Sequence, residues 1–151
     1  MKVSRLIASW FGCGFLPGAP GTWGSLAALP LAWAIVLIGG NITLAIAAVS
    51  LFAIGCIAAD RATRGGADQD PGWVVVDEVV GQWLTVLAMP LSLVGYAIGF
   101  ILFRLFDIWK PWPVRVVERR FGGGFGIMID DVAAALYAVI VIVIGRILLE
   151  R

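Results

Sequence analysis

The chain has 151 residues, 61% of them hydrophobic and only 14% charged, with a net charge of +1. That balance lies outside the range of a water-soluble domain and fits a single all-α integral-membrane domain, residues 1–151. Histidine is absent, which excludes a histidine nucleophile, a histidine general base and histidine-ligated zinc, and leaves catalysis to carboxylates, Lys/Arg, hydroxyls and metal.

The opening MKVSRLIASW carries basic residues but only a short apolar run, so no cleaved signal peptide is expected. Residues 12–25 (GCGFLPGAPGTWGS) form a first Gly/Pro-rich polar segment. Cys13 within it and Cys56 further on are 43 positions apart with no second ligand type nearby, and they read as unpaired thiols. Apolar runs follow at 24–39, interrupted by Pro30, and at 42–59. A second polar segment covers 60–81 (DRATRGGADQDPGWVVVDEVVG). The run 73–103 is too long for one untilted span and contains Pro90, which removes a helix donor. It is either one kinked helix or two, 73–89 and 92–109, joined by a turn near Pro90. The third polar segment is 104–131, and the last apolar run is 127–149.

Charge placement favours two helices there, giving a polytopic bundle of five spans. Lys2, Arg5, Arg61, Arg64, Arg104, Lys110, Arg115, Arg119 and Arg120 then share one face, with Arg146 and Arg151 opposite. The basic face is expected to be cytoplasmic. With one kinked helix the second and third polar segments would not meet.

Asp77 and Glu78 open an otherwise apolar helix, where the dipole favours carboxylates. Two adjacent acids entering a membrane helix are nevertheless expensive and point to function. Asp68 and Asp70 read as turn or cap residues around Pro71. Asp130 and Asp131 open the last span, one of them as an N-cap, with Ala134 and Ala138 following at helical spacing for close packing. Asp107 falls near a helix C-terminus, where the dipole disfavours an anion, and Arg104 and Lys110 at i−3 and i+3 are placed to neutralise it. The glycines at 12, 14, 18, 21 and 24 and those of 122–126 allow close backbone approach and can present N–H groups to an anion. Thr22 and Ser25 can cap the first span or donate to phosphate. Trp23, Trp109 and Trp112 suit interfacial anchoring.

Five carboxylates on three helices, with Arg104, Lys110 and glycine segments on the same face, make a site for a divalent cation and a phosphate. Mg²⁺ prefers such oxygen ligands, completed by water and substrate phosphate. Other phosphatase chemistries are missing their parts. There is no Cys-x5-Arg loop, and Asp68-Gln69-Asp70-Pro71 lacks the apolar strand that precedes the DxD of an aspartate-nucleophile hydrolase. A small cation or proton transporter, or an accessory membrane protein without chemistry, is the competing reading; the transporter would need acids near the middle of the spans.

The stretches GFLPGAPGTWGSLAALP (14–30), VDEVVGQW (76–83), FRLFDIWKPWPVR (103–115) and GGFGIMIDD (123–131) closely resemble the phosphatidylglycerophosphatase A family. They cover about a third of the chain, and FDIWKPWP followed by GIMIDD is the most specific part. The chain departs from the family pattern at Ala134-Ala135, where Ala-Gly is frequent, and around Gln69 and Pro71. The resemblance implies an Mg²⁺-dependent phosphatase of the bacterial inner membrane that converts phosphatidylglycerophosphate to phosphatidylglycerol, with a lipid substrate and no nucleic-acid partner. Its acidic metal and catalytic set would be Asp77, Glu78, Asp107, Asp130 and Asp131. Arg104 and Lys110 would lie beside the phosphate.

Overall fold

The computed structural model describes residues 2–66, 68, 70–114, 116 and 120–150. Among these it is all-helical: α1 (Val3–Ala8), a 3₁₀ turn at Cys13–Phe15, α2 (Pro20–Thr63), α3 (Val76–Val86), α4 (Leu93–Trp109) and α5 (Gly123–Leu149). Arg115, Arg119 and Gln69, named above, lie outside the described residues, as does Arg151.

α2 is not one straight rod. Gly40 has φ 75° and ψ −177°, outside the helical region. A Cβ on Gly24 would lie 2.8 Å from the Val75 side chain, and one on Gly55 would lie 3.5 Å from Val76. On an unbroken helix Gly24 and Gly55 would be about 46 Å apart, so the chain folds back at Gly40 into two antiparallel arms, 20–39 and 41–63. The left-handed φ is one that glycine adopts without a Cβ penalty.

The buried residues of α2 are nearly all small: Gly21, Gly24, Ser25, Ala28 and Ala32 on the first arm, then Leu44, Ala48, Gly55, Ala58 and Ala59 on the second. Their three- and four-residue spacing makes one face per arm, against which Val75, Val76, Val79, Val80 and Trp83 pack. Trp83 Nε1 donates to the Ala28 carbonyl at 3.0 Å. Large apolar side chains point the other way; Leu37, Ile38, Ile42, Ile46 and Val49 are all exposed. Small residues inside and large ones outside is the packing of helices in lipid, where close backbone approach replaces the hydrophobic drive.

Two helices, α2 and α5, are long and apolar enough to cross a membrane, with mean hydropathy 2.4 and 2.6. Only 28% and 22% of those stretches is buried, unlike the core helix of a soluble protein. The five spans expected from the sequence are not supported. The break near Pro90 is present, between Val86 and Leu93, and Ser92 caps α4 by accepting from the Gly95 N–H. The helices flanking it are short, however: α3 has 11 residues and α4 has 17, about 16 and 26 Å against a hydrocarbon thickness of about 30 Å.

The helix ends sort to two sides. The starts of α2, α3 and α5, the end of α2 and the end of α4 gather at one end. The Gly40 bend and the Pro90 break lie at the other, where Arg146 reaches the Ala88 carbonyl.

Candidate active site

Three helix segments meet at the first end of the bundle: the opening turn of α3, the last turns of α4 and the second and third turns of α5. Asp77, Asp107, Asp130 and Asp131 are buried there, and Glu78 is nearly so. Oxygens of Asp77, Asp130 and Asp131 lie within 4.8 Å of one another, as do oxygens of Glu78, Asp107 and Asp131. Asp131 belongs to both groups.

Two cations serve this cluster. Arg104 hydrogen-bonds Asp107 through Nη1, and the same nitrogen is 3.8 Å from Glu78 Oε1. Lys110 caps α4 in the left-handed conformation, φ 46°, a region a non-glycine residue enters when its surroundings hold it there. Its Nζ is 2.8 Å from Asp130 Oδ2. Asp130 Oδ1 accepts from the Asp131 N–H at 3.0 Å.

Room for the Glu78–Arg104 pair comes from α2. A Cβ on Gly21 would stand 2.1 Å from Glu78 Oε1 and 3.1 Å from both terminal guanidinium nitrogens of Arg104. α5 reaches the same end by a similar contact, since a Cβ on Gly124 would lie 1.9 Å from the Cys56 carbonyl oxygen.

The carboxyls outnumber their cations, and several of their atoms have no partner. Asp77 Oδ1, Glu78 Oε2 and Asp131 Oδ2 are buried without a hydrogen bond, and so is Arg104 Nε. Each such atom costs on the order of 1–3 kcal/mol, more where it is charged. A divalent cation would remove that cost for the three carboxylate oxygens, while the Arg104 N–H calls for an acceptor. Hard oxygen donors fit Mg²⁺, whose ligands stand about 2.1 Å from the ion and therefore up to about 4.2 Å from one another. The 4.8 Å grouping is close to that span. Neither group contains a soft donor.

All five acids named from the sequence come together, with Arg104 and Lys110 among them. Two local expectations are corrected. Neither Asp130 nor Asp131 is an N-cap: α5 starts at Gly123, so the glycine stretch is its first turn and the acids lie two turns in. Gly124 and Gly126 are helical and pack closely, while Gly123, at the first position of α5, has a left-handed φ of 66°. Thr22 and Ser25 do not cap the first span, because α2 starts at Pro20. Ser25 Oγ is spent on the Gly21 carbonyl at 2.9 Å; Thr22 is half-buried beside Gly21. Lys110 is hydrogen-bonded to Asp130 and Arg104 to Asp107.

Two residues escaped the sequence reading. Asp70, taken as a turn residue, lines a 110 Å³ cavity with Asp130, Gly122 and Gly126. Gln82 is fully buried, and neither its Oε1 nor its Nε2 has a partner. The signal for Gln82 was its place one helical turn after Glu78 in an apolar helix.

The family model for phosphatidylglycerophosphatase A matches residues 6–146. A Haemophilus influenzae protein named phosphatidylglycerophosphatase A is 45% identical over 140 residues, covering 91% of this chain and 85% of its own length. The Escherichia coli K12 protein of the same name is 38% identical over 140 residues, covering 90% and 81%. A Bacteroides thetaiotaomicron protein bearing the provisional name phosphatidylinositol-3-phosphatase is 41% identical over 148 residues, covering 93% and 92%. No solved structure shows significant similarity to the chain.

Proposed function

Since the chain belongs to the phosphatidylglycerophosphatase A family, we propose that it hydrolyses the terminal phosphomonoester of phosphatidylglycerophosphate, giving phosphatidylglycerol and inorganic phosphate, with Mg²⁺ as cofactor. The observation that carries this reading is the cluster of carboxylates that three helices bring to one end of the bundle, with unpartnered oxygens on Asp77, Glu78 and Asp131.

Asp77, Asp130 and Asp131, together with Glu78 and Asp107, are the residues that would hold Mg²⁺. When bound, the ion offsets charge on the phosphoryl group and makes water a better nucleophile. Arg104 and Lys110 hold phosphate oxygens from either side, their own pairing to carboxylates keeping the long side chains aimed inward. Thr22, beside Gly21, lies within the same end and would donate a hydroxyl to the phosphate. In the absence of histidine, a carboxylate takes the proton of the attacking water. The P–O bond to the glycerol carbon's oxygen then breaks, and that oxygen leaves as the hydroxyl of phosphatidylglycerol after taking up a proton.

The setting is the bacterial inner membrane. The two α2 arms and α5 cross it, and the acid-bearing end, with Arg5, Arg61, Arg64 and Arg120, faces the cytoplasm as the basic distribution requires. A transport pathway would need acids continuing through the bundle. Among the described residues, the only Asp or Glu near the opposite end is Glu150, at the end of α5.

The test is phosphate release by the purified protein from phosphatidylglycerophosphate, phosphatidic acid and phosphatidylinositol 3-phosphate, each with Mg²⁺ and with chelator. Metal-dependent release that favours phosphatidylglycerophosphate is expected. Release from none of them by folded protein would overturn the reading.

A further inference from the structure

An apolar groove of about 620 Å³ runs between the first arm of α2 and α4, lined by Leu26, Leu29 and Trp33 on one side and by Leu93, Ala97 and Phe100 on the other. That volume is within the range of small-molecule sites. Among the described residues no charged one lines it. Its floor is fixed, because Tyr96 is buried and its ring meets that of Trp33 edge-on with centroids 5.2 Å apart. The lining residues of α4 span eight positions, from Leu93 to Ile101, or about 12 Å.

The groove does not end blindly. Leu93, Ala97, Phe100 and Arg104 follow one another at three- and four-residue spacing, so they share one face of α4. Arg104 therefore stands at the head of the groove, between its apolar lining and the carboxylates of Glu78 and Asp107. Across from it, Gly21 leaves the space for its guanidinium. A molecule with an anionic head at Arg104 and a long apolar tail matches this sequence of surfaces.

We propose that this groove holds one acyl chain of the substrate, which makes it the part of the site that selects a lipid over a soluble phosphomonoester. This rests on the phosphatase reading given above. A second apolar groove, about 340 Å³ and lined by Val49, Phe52, Val80 and Ile129 among others, lies between the second arm of α2, α3 and α5. It is about half as large, and bulk lipid fills it without selectivity.

Ala97 is exposed and small, so Ala97→Trp fills the groove without entering the core. Val49→Trp does the same for the second groove, since Val49 is exposed as well. The full-length variants are assayed in mixed micelles on phosphatidylglycerophosphate with long acyl chains and on its water-soluble short-chain analogue. Ala97→Trp is expected to raise KM for the long-chain lipid by about tenfold or more, the effect of changing the fit of a hydrophobic pocket, while kcat/KM on the short-chain analogue stays at the wild-type value. Val49→Trp leaves both substrates unaffected. Equal losses on both substrates for Ala97→Trp, no loss on either, or a chain-length effect confined to Val49→Trp would each overturn the assignment. Failure of the phosphatase reading looks different, since wild-type protein would then release phosphate from neither substrate.

Discussion

Gly21, in the first turn of α2, lies against the carboxylate of Glu78 on α3 so closely that a Cβ there would stand 2.1 Å from Oε1. The contact is what lets Arg104 of α4 approach Glu78 to 3.8 Å. Gly21→Ala is therefore expected to displace both side chains. Overpacking of this kind costs about 1–3 kcal/mol, so the melting temperature in detergent should fall. Activity on phosphatidylglycerophosphate should fall further than stability predicts, by about tenfold or more, a loss typical of disturbing groups around a metal site. Wild-type kcat in the variant would show that the Glu78–Arg104 geometry is not needed.

Asp131 is shared by both carboxylate groups, and its Oδ2 is buried without a partner. Asp131→Asn keeps the shape and removes the charge. In the metal-free protein the variant should melt no lower than wild type, because an uncompensated buried charge is relieved. Mg²⁺ at 100 times its dissociation constant should stabilise wild type by about 2.7 kcal/mol; the variant should show almost none of that gain and less than about a hundredth of the turnover. The two quantities are read from thermal melts with and without the ion and from phosphate release. An undiminished Mg²⁺ shift in the variant would remove Asp131 from the ligand set.

Gln82 follows Glu78 by one helical turn, and helical side chains lean back toward the N-terminus, which brings its amide toward the Asp77–Glu78 turn. Both amide atoms are buried without a partner. Gln82→Met keeps the length and removes two polar atoms whose burial costs on the order of 1–3 kcal/mol each. The expected outcome is a higher melting temperature without Mg²⁺ together with a kcat about 10–100-fold lower. A lower melting temperature would show instead that the amide stabilises the fold.

Gly40 turns α2 back on itself with φ 75°. Gly40→Ala should cost about 1 kcal/mol or more, since an L residue is strained in that region. The loss should appear in thermal unfolding, with KM unchanged because the bend lies at the end of the bundle away from the acids. A rise in KM would couple the bend to the site.

Much of the site was legible one residue at a time. Asp77, Glu78 and Asp107 stand out because ionisable groups are rare in apolar helices and costly there, and Asp107 cannot be a cap where the dipole opposes it. The bend between 39 and 42 and the break at Pro90 are written in Gly and Pro. The number of spans was not legible in the same way. Hydropathy over 73–109 does not distinguish a membrane-crossing pair from the short helices α3 and α4, because buried apolar residues packed on protein and those facing lipid have the same composition. The start of α5 was misplaced for a related reason. A glycine run normally signals a loop, yet here Gly124 lies where a Cβ would meet the Cys56 carbonyl oxygen, and that contact favours helix over turn.

The sequence by itself determined the chemistry available: an apolar, helical chain with no histidine, five acids set in or beside its apolar runs, and Arg104 and Lys110 on either side of Asp107. Composition and local spacing are sufficient for that, because the cost of burying charge is a property of each residue type. Only the tertiary structure decided which groups meet. It placed Lys110 on Asp130, 20 residues away, made Asp131 common to two carboxylate groups, and brought Gly21 against Glu78 and Arg104. Those pairings depend on how three helices cross, and crossing is set by the small residues that let backbones approach, across separations that no local pattern encodes.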